Sequence, residues 1–292
     1  MTEWLVALLC AVVAGAGVAA LATALHVRLR LLNQIDLVGP FVGIAVVLVA
    51  RSWAGEGRAG PLGDALLLLP IAAALGYLLA LAVGDRLAVE ADPVLGLTTA
   101  VLGAVVADRL LVARAGFDPG RLAETSSAVL SRDGVALLSM AAAVAAVLAI
   151  VSVLAVGAVF ALGPSSRLLR SWQEDPDLVV LGGRDPVRLG ARLAALTAVV
   201  ASVGVAAYAS VVAVNGASGF GLLGRTAEVL LVAGTTRLRR IVAAAFGLEV
   251  ARAVADQLVS GWGAVIIPAV ALTAVVLRTR RSSGAPTRVA LP

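Results

Sequence analysis

The chain has one histidine, one cysteine and no lysine in 292 residues. A single histidine, His26, excludes a multi-histidine zinc site and leaves only itself on which to build a Ser-His-Asp triad. A single cysteine, Cys10, excludes an intrachain disulfide and a cysteine-rich metal site. Every basic side chain is an arginine, a usage that fits a high-GC coding bias better than any functional demand. Charged residues make up only 14% and aromatics 4%, whereas a soluble domain carries about 25% charge. No phosphate-binding loop of the G-x-x-x-x-G-K-[ST] type occurs. The GEGRAG stretch at 55–60 has no strand before it, so it is no nucleotide fold. Any ATP hydrolysis must reside in another chain.

What is present is apolar. Hydrophobic residues reach 61% and the mean hydropathy is +1.02, more apolar surface than one core can bury, so lipid is the expected solvent. The excess is Ala, Leu and Val, which suits close packing between membrane helices. The net charge of +5 does not point to nucleic acid. The arginines sit in short loops between apolar runs, and no basic patch is interleaved with aromatics. The first run carries Glu3 where a signal peptide has a basic region, and its about 21 apolar residues exceed a signal core. It reads as a retained span.

Apolar runs fall at 4–25, 37–51, 62–84, 94–115, 134–163, 191–214, 219–234, 241–258 and 261–277. A helix needs about 20 residues to cross the hydrocarbon core, so the first, third, fourth, fifth and sixth runs qualify outright. The others are short or interrupted, and such helices are tolerated where they line a cavity or are buried in protein. The expectation is an all-α polytopic integral membrane bundle of about 8–9 spans, some short or broken. It forms a single transmembrane domain over 1–281, followed by a disordered cytoplasmic tail at 282–292. The seventh and eighth runs can alternatively form a re-entrant pair. Alternation with the arginine-rich loops inside places 26–36, 85–93, 164–192, 235–240 and the C-terminus in the cytoplasm. It leaves the N-terminus, 52–61 and 116–133 outside. Trp4, Trp53 and Trp262, at run ends, read as interfacial anchors.

One polar stretch stands out, PSSRLLRSWQEDPDLVVLGGRDPVRLGAR at 164–192. Ser165 or Ser166 can cap a short helix over 167–174. Asp175-Pro176 breaks it, and Pro176 suits the first turn of a second helix, 176–181, closed by Gly182-Gly183. The next span begins around Pro186. Read from its residues alone, the segment is an amphipathic helix–turn–helix on the membrane surface, with or without a partner.

This segment resembles the cytoplasmic loop of permease subunits from branched-chain amino-acid-type ABC importers, which reads approximately G-R-x-L-R-A-x-x-E-D-P-x-x-A-x-x-x-G-I before a small-residue span. Arg167, Leu169, Arg170, Glu174, Asp175, Pro176 and Gly183 fall in register, and Ala194 to Ala209 supply the small residues. RLLNQIDLVGPFVG is similar to the family's R-L-I-N-F-A-H-G-D stretch through Leu31, Asn33, Asp36 and Gly43, with a gap of two and without the A-H-G triplet. LLVAGTTRLRRIVAAAFGLEVAR resembles a later glycine-rich stretch through Gly234 and Glu249, with Ala233, Thr236, Arg240, Ala243 and Ala244 where the family has glycine.

The resemblance implies a transport subunit rather than an enzyme, with no cofactor of its own and ATP bound by a partner. It implies a coupling segment over about 164–190 that docks on a cytoplasmic ABC ATPase. It further implies a second permease subunit, an extracytoplasmic solute-binding protein, a bacterial inner-membrane location, and a small polar solute such as a branched-chain amino acid. Two alternatives stand beside it. An ion-coupled secondary transporter would use Glu249, Arg252 and Asp256. A non-transporting scaffold or degenerate permease would account for the replaced glycines.

Glu249, Arg252 and Asp256 share a helix face at i, i+3 and i+7. They read either as a polar lining of a translocation path or partner contact, or as an arginine neutralised by two acids near a helix end. Asp108 and Arg109 read as an interfacial pair. Asn33 and Asp36 read as caps of the second run or as pathway contacts.

Overall fold

The computed structural model describes residues 2–32, 37–53, 61–87, 93–120, 122, 128–132, 135–161, 185–234 and 237–283. Helices carry the fold. They are α1 (Thr2–Leu32), α2 (Gly39–Trp53), α3 (Pro61–Leu67), α4 (Leu69–Leu87), α5 (Pro93–Ala115), α6 (Met140–Ala161), α7 (Pro186–Ala209), α8 (Ser218–Ala233), α9 (Leu238–Leu258) and α10 (Gly263–Ser283). Among the described residues, four stretches are long and apolar enough to cross a membrane, Glu3–Leu29, Leu62–Leu81, Met140–Ala161 and Val187–Ala209. Gly39–Trp53 and Gly263–Leu277 are shorter apolar helices.

Three departures from the sequence reading have local causes. The third apolar run is broken at Leu68, between α3 and α4. Pro70 has no N–H to give the Leu66 carbonyl and its ring crowds that turn. The Leu68 amide is instead shared between the carbonyls of Asp64 and Ala65, at 3.2 and 3.3 Å. The fifth run does not begin as helix. Val135–Ser139 pairs antiparallel with Ala128–Arg132, as β2 with β1, in a register that sets Arg132 opposite Val135 and Ala128 opposite Ser139. The hairpin is the one departure from an all-helical fold among the described residues. Finally, α10 runs through Pro268 to Ser283, past the expected start of the tail at 282; residues 284–292 lie outside the described residues.

The core sits where α1 and α7 cross. These two helices are antiparallel: Gly17 meets Gly204, while Arg28 reaches back to the first half of α7, its Nε donating to Thr197 Oγ1 at 3.0 Å. A β-carbon on Gly17 would lie 2.5 Å from the Gly204 carbonyl oxygen. Contact this close lets the two backbones pack with dispersion alone, the force available between helices in lipid. Gly43 of α2 abuts Val205, and Gly76 of α4 abuts Ala198. Small residues along α7 therefore seat three other helices. Two buried hydroxyls in this core bond back into their own helices, Thr23 to the Ala19 carbonyl at 2.7 Å and Ser202 to that of Ala198 at 2.8 Å, so both are satisfied within the apolar interior.

One end of the bundle is closed by loop backbone. Gly120 and Val214 exchange N–H···O bonds of 3.2 and 3.0 Å, and Leu122 donates to the Ala209 carbonyl at 2.8 Å. Arg51, at the end of α2, donates to the Val214 carbonyl at 3.2 Å. This gathers at one end the chain following the second, fourth and sixth runs. The outer faces of α4, α6 and α10 leave Leu78, Leu154 and Leu272 exposed.

Candidate functional site

Among the described residues, a cluster of buried charge lies inside the bundle between α8 and α9. Glu249 and Arg252 are both buried, at 5% and 7% exposure. Arg225, on α8, donates through Nη1 to Glu249 Oε2 at 2.7 Å. Arg252 Nη1 donates to the other oxygen, Glu249 Oε1. Arg252 Nη2 donates to Glu228 Oε2 at 2.5 Å. The four side chains form a line of alternating sign, Arg225–Glu249–Arg252–Glu228, with a formal charge of zero. The Arg225 guanidinium carbon lies 5.3 Å from the ring centre of Tyr208, within cation–π range.

The helices place these groups by simple periodicity. Arg225 and Glu228 are three residues apart on α8, and Glu249 and Arg252 three apart on α9, so each pair projects from one face. Arginine's planar fork lets Arg252 hold two carboxylates at once. Both pairs lie near the middle of their helices; at about 1.5 Å per residue, Glu249 is about 16 Å from the start of α9. Phe246, one turn before Glu249, packs on Gly15 of α1, and Tyr208 packs on Gly17. The cluster thus adjoins the α1–α7 crossing. Unpaired charge this deep is costly, and pairing within the line removes most of that cost while tying α8 to α9 and, through Tyr208, to α7.

Of the residues read from sequence, the structure brings Glu249 and Arg252 together and holds Asp256 apart from them. Asp256 is exposed and accepts the Gly263 N–H at 2.8 Å, fastening the turn into α10. Arg252 is neutralised by Glu249 and Glu228, not by Glu249 and Asp256. Asn33, Asp36, Arg167, Leu169, Arg170, Glu174, Asp175, Pro176 and Gly183 lie outside the described residues. The start of the following helix is described: the Asp185 carboxylate accepts from the amides of Val187 and Arg188 at 2.9 and 3.4 Å, with Pro186 in the first turn. Gly234 ends α8 at φ 70°, its amide bonded to the Leu230 carbonyl at 2.8 Å, a conformation that favours glycine.

Sequence reasoning missed Arg225, Glu228, Tyr208 and Asp64. The signal for the first two was present as an Arg-x-x-Glu pair inside an apolar run. Asp64 is 1% exposed, and neither of its oxygens has a hydrogen-bond partner among the described residues. No group of three or more potential metal ligands occurs among the described residues.

No protein-family model matches the chain, and no curated protein matches it. Among solved structures, PsaBC from Streptococcus pneumoniae in complex with Fab is similar over 91% of this chain and 88% of its own, at 13% identity and a TM-score of 0.47.

Proposed function

We propose that this chain is the transmembrane permease subunit of an ABC importer, working with a separate cytoplasmic ATPase. The observation that carries the reading is where the 164–192 segment enters the fold. It runs directly into α7, capped at Asp185, and α7 is the helix on which α1, α2 and α4 are seated through Gly17, Gly43 and Gly76. A partner that moved this segment would move the helix that organises the core. The density of matches in Arg167, Leu169, Arg170, Glu174, Asp175, Pro176 and Gly183 supports a docking role for it.

In this reading ATP-driven closure of the partner subunits pulls on 167–183 and tilts α7. The helices packed on α7 follow, and access to a central path alternates between the two sides. The chain itself breaks no bond. The Arg225–Glu249–Arg252–Glu228 line holds α8 and α9 as one body during that motion. A second permease subunit, identical or different, an external solute-binding protein and a small polar solute such as a branched-chain amino acid complete the proposal.

The test is affinity purification from native membranes, with wild type beside an Arg170→Glu/Glu174→Arg variant. An ATPase recovered with wild type and lost with the variant supports the reading. A well-folded wild type that recovers no ATPase overturns it. The ion-coupled carrier is less favoured, because Asp256 stands outside the buried charge line and both carboxylates within that line are already paired.

A further inference from the structure

We infer that the arginine cluster opening α9 is a binding surface for the headgroup of an anionic phospholipid. Arg237, Arg239 and Arg240 are all exposed. None has a carboxylate within ion-pair distance among the described residues. The first turn of α9 contains no acidic residue. Three guanidiniums within four residues repel one another, and nothing in the described protein offsets that repulsion. An external anion with several acceptor oxygens does so, and guanidinium forks match phosphate oxygens in pairs.

The surroundings favour a lipid over a soluble anion or an acidic protein. The cluster sits where apolar, outward-facing helix surface ends. Leu238, between the arginines, packs against Gly157 near the end of α6, where an added β-carbon would lie 3.1 Å from Leu238 Cδ2. On α6, Leu154 and Val159 are exposed at 65% and 39%, and on α8 Leu231 is exposed at 46%. Acyl chains lying on these side chains bring a phosphate to the level of the arginines. The strength of each arginine's attraction to an anionic leaflet is of the order expected for juxtamembrane basic residues. This inference rests on the chain spanning a membrane and is independent of the ABC-importer proposal.

The experiment uses the full chain, purified in detergent after exposure to an equal mixture of phosphatidylglycerol and phosphatidylcholine. Native mass spectrometry then counts the lipids retained. The expected result is a severalfold preference for phosphatidylglycerol in wild type. That preference falls to parity in an Arg237→Gln/Arg239→Gln/Arg240→Gln variant and persists in Arg114→Gln, at an exposed arginine on α5. If the triple variant does not accumulate, Arg239→Gln and Arg240→Gln alone serve, each expected to reduce the preference. Excess inorganic phosphate is expected not to displace the retained phosphatidylglycerol; displacement would assign the cluster to a free anion. Equal retention of the two lipids by wild type overturns the inference. So does an unchanged preference in the variants accompanied by loss of an acidic protein from purified complexes, which would assign the surface to a protein partner.

Discussion

Gly17 and Gly204 touch backbone to backbone: a β-carbon on Gly17 would stand 2.5 Å from the Gly204 carbonyl oxygen, and one on Gly204 2.7 Å from that of Gly17. Both contacts are with main chain, which cannot rotate away as a side chain can. Gly17→Val or Gly204→Val must therefore push α1 and α7 apart, and we expect a loss of stability of about 1–3 kcal/mol, as for overpacking of a tight core. Gly224, with nothing within 4 Å of its added β-carbon, is the control. Gly224→Ala is expected to be neutral or stabilising by about 0.5–1 kcal/mol, because glycine is a poor helix former. Thermal unfolding in detergent measures all three, and equal behaviour of the Gly17 and Gly224 variants would disprove the close crossing.

The buried charge line makes a different prediction. Arg252→Leu leaves Glu228 without its cation and Glu249 with only one, and breaking a buried pair from one side costs about 3–5 kcal/mol. Replacing all four partners together, Arg225→Met, Glu228→Leu, Glu249→Leu and Arg252→Met, is expected to restore most of that loss, since no stranded charge remains. Unfolding measurements on the single and fourfold variants decide it. A fourfold variant less stable than Arg252→Leu would contradict the zero-sum arrangement.

Asp64 is buried without a partner for either oxygen among the described residues. An unsatisfied buried polar group costs about 1–3 kcal/mol. Asp64→Leu is therefore expected to raise the unfolding temperature, and a drop would mean that Asp64 has a stabilising partner outside the described residues.

Side of exposure can be read directly, because Cys10 is the single cysteine. In a Cys10→Ala background, a cysteine at Asp118, in the loop bonded to the 209–216 segment, is expected to react with a membrane-impermeant maleimide on intact cells. A cysteine at Arg188, in the exposed first turn of α7, is expected to react only after permeabilisation. Labelling of both from one side would overturn the alternation inferred from arginine placement.

The helices were largely legible because their signal is local. Runs at 37–51, 94–115, 219–234 and 241–258 became α2, α5, α8 and α9 with boundaries shifted by at most three residues. The start of α7 was legible at Pro186, and the structure adds Asp185 as its cap. The hairpin was signalled by Asp133-Gly134, a common two-residue turn dipeptide, but the apolar run beginning there outweighed it. Pro70 carried the signal for the break in the third run, but the length of that apolar run outweighed it.

By itself, then, the sequence determined the apolar character, most of the helices and the small-residue surfaces, since composition and periodicity act through neighbours along the chain. Only the tertiary structure decided partners. Glu249 and Asp256 are equally plausible companions of Arg252 on a helical wheel, yet α8 brings Glu228 to Arg252 while Asp256 turns to the Gly263 amide. A buried guanidinium is satisfied by whichever carboxylate the packing delivers, and that depends on how two helices cross rather than on the spacing within one.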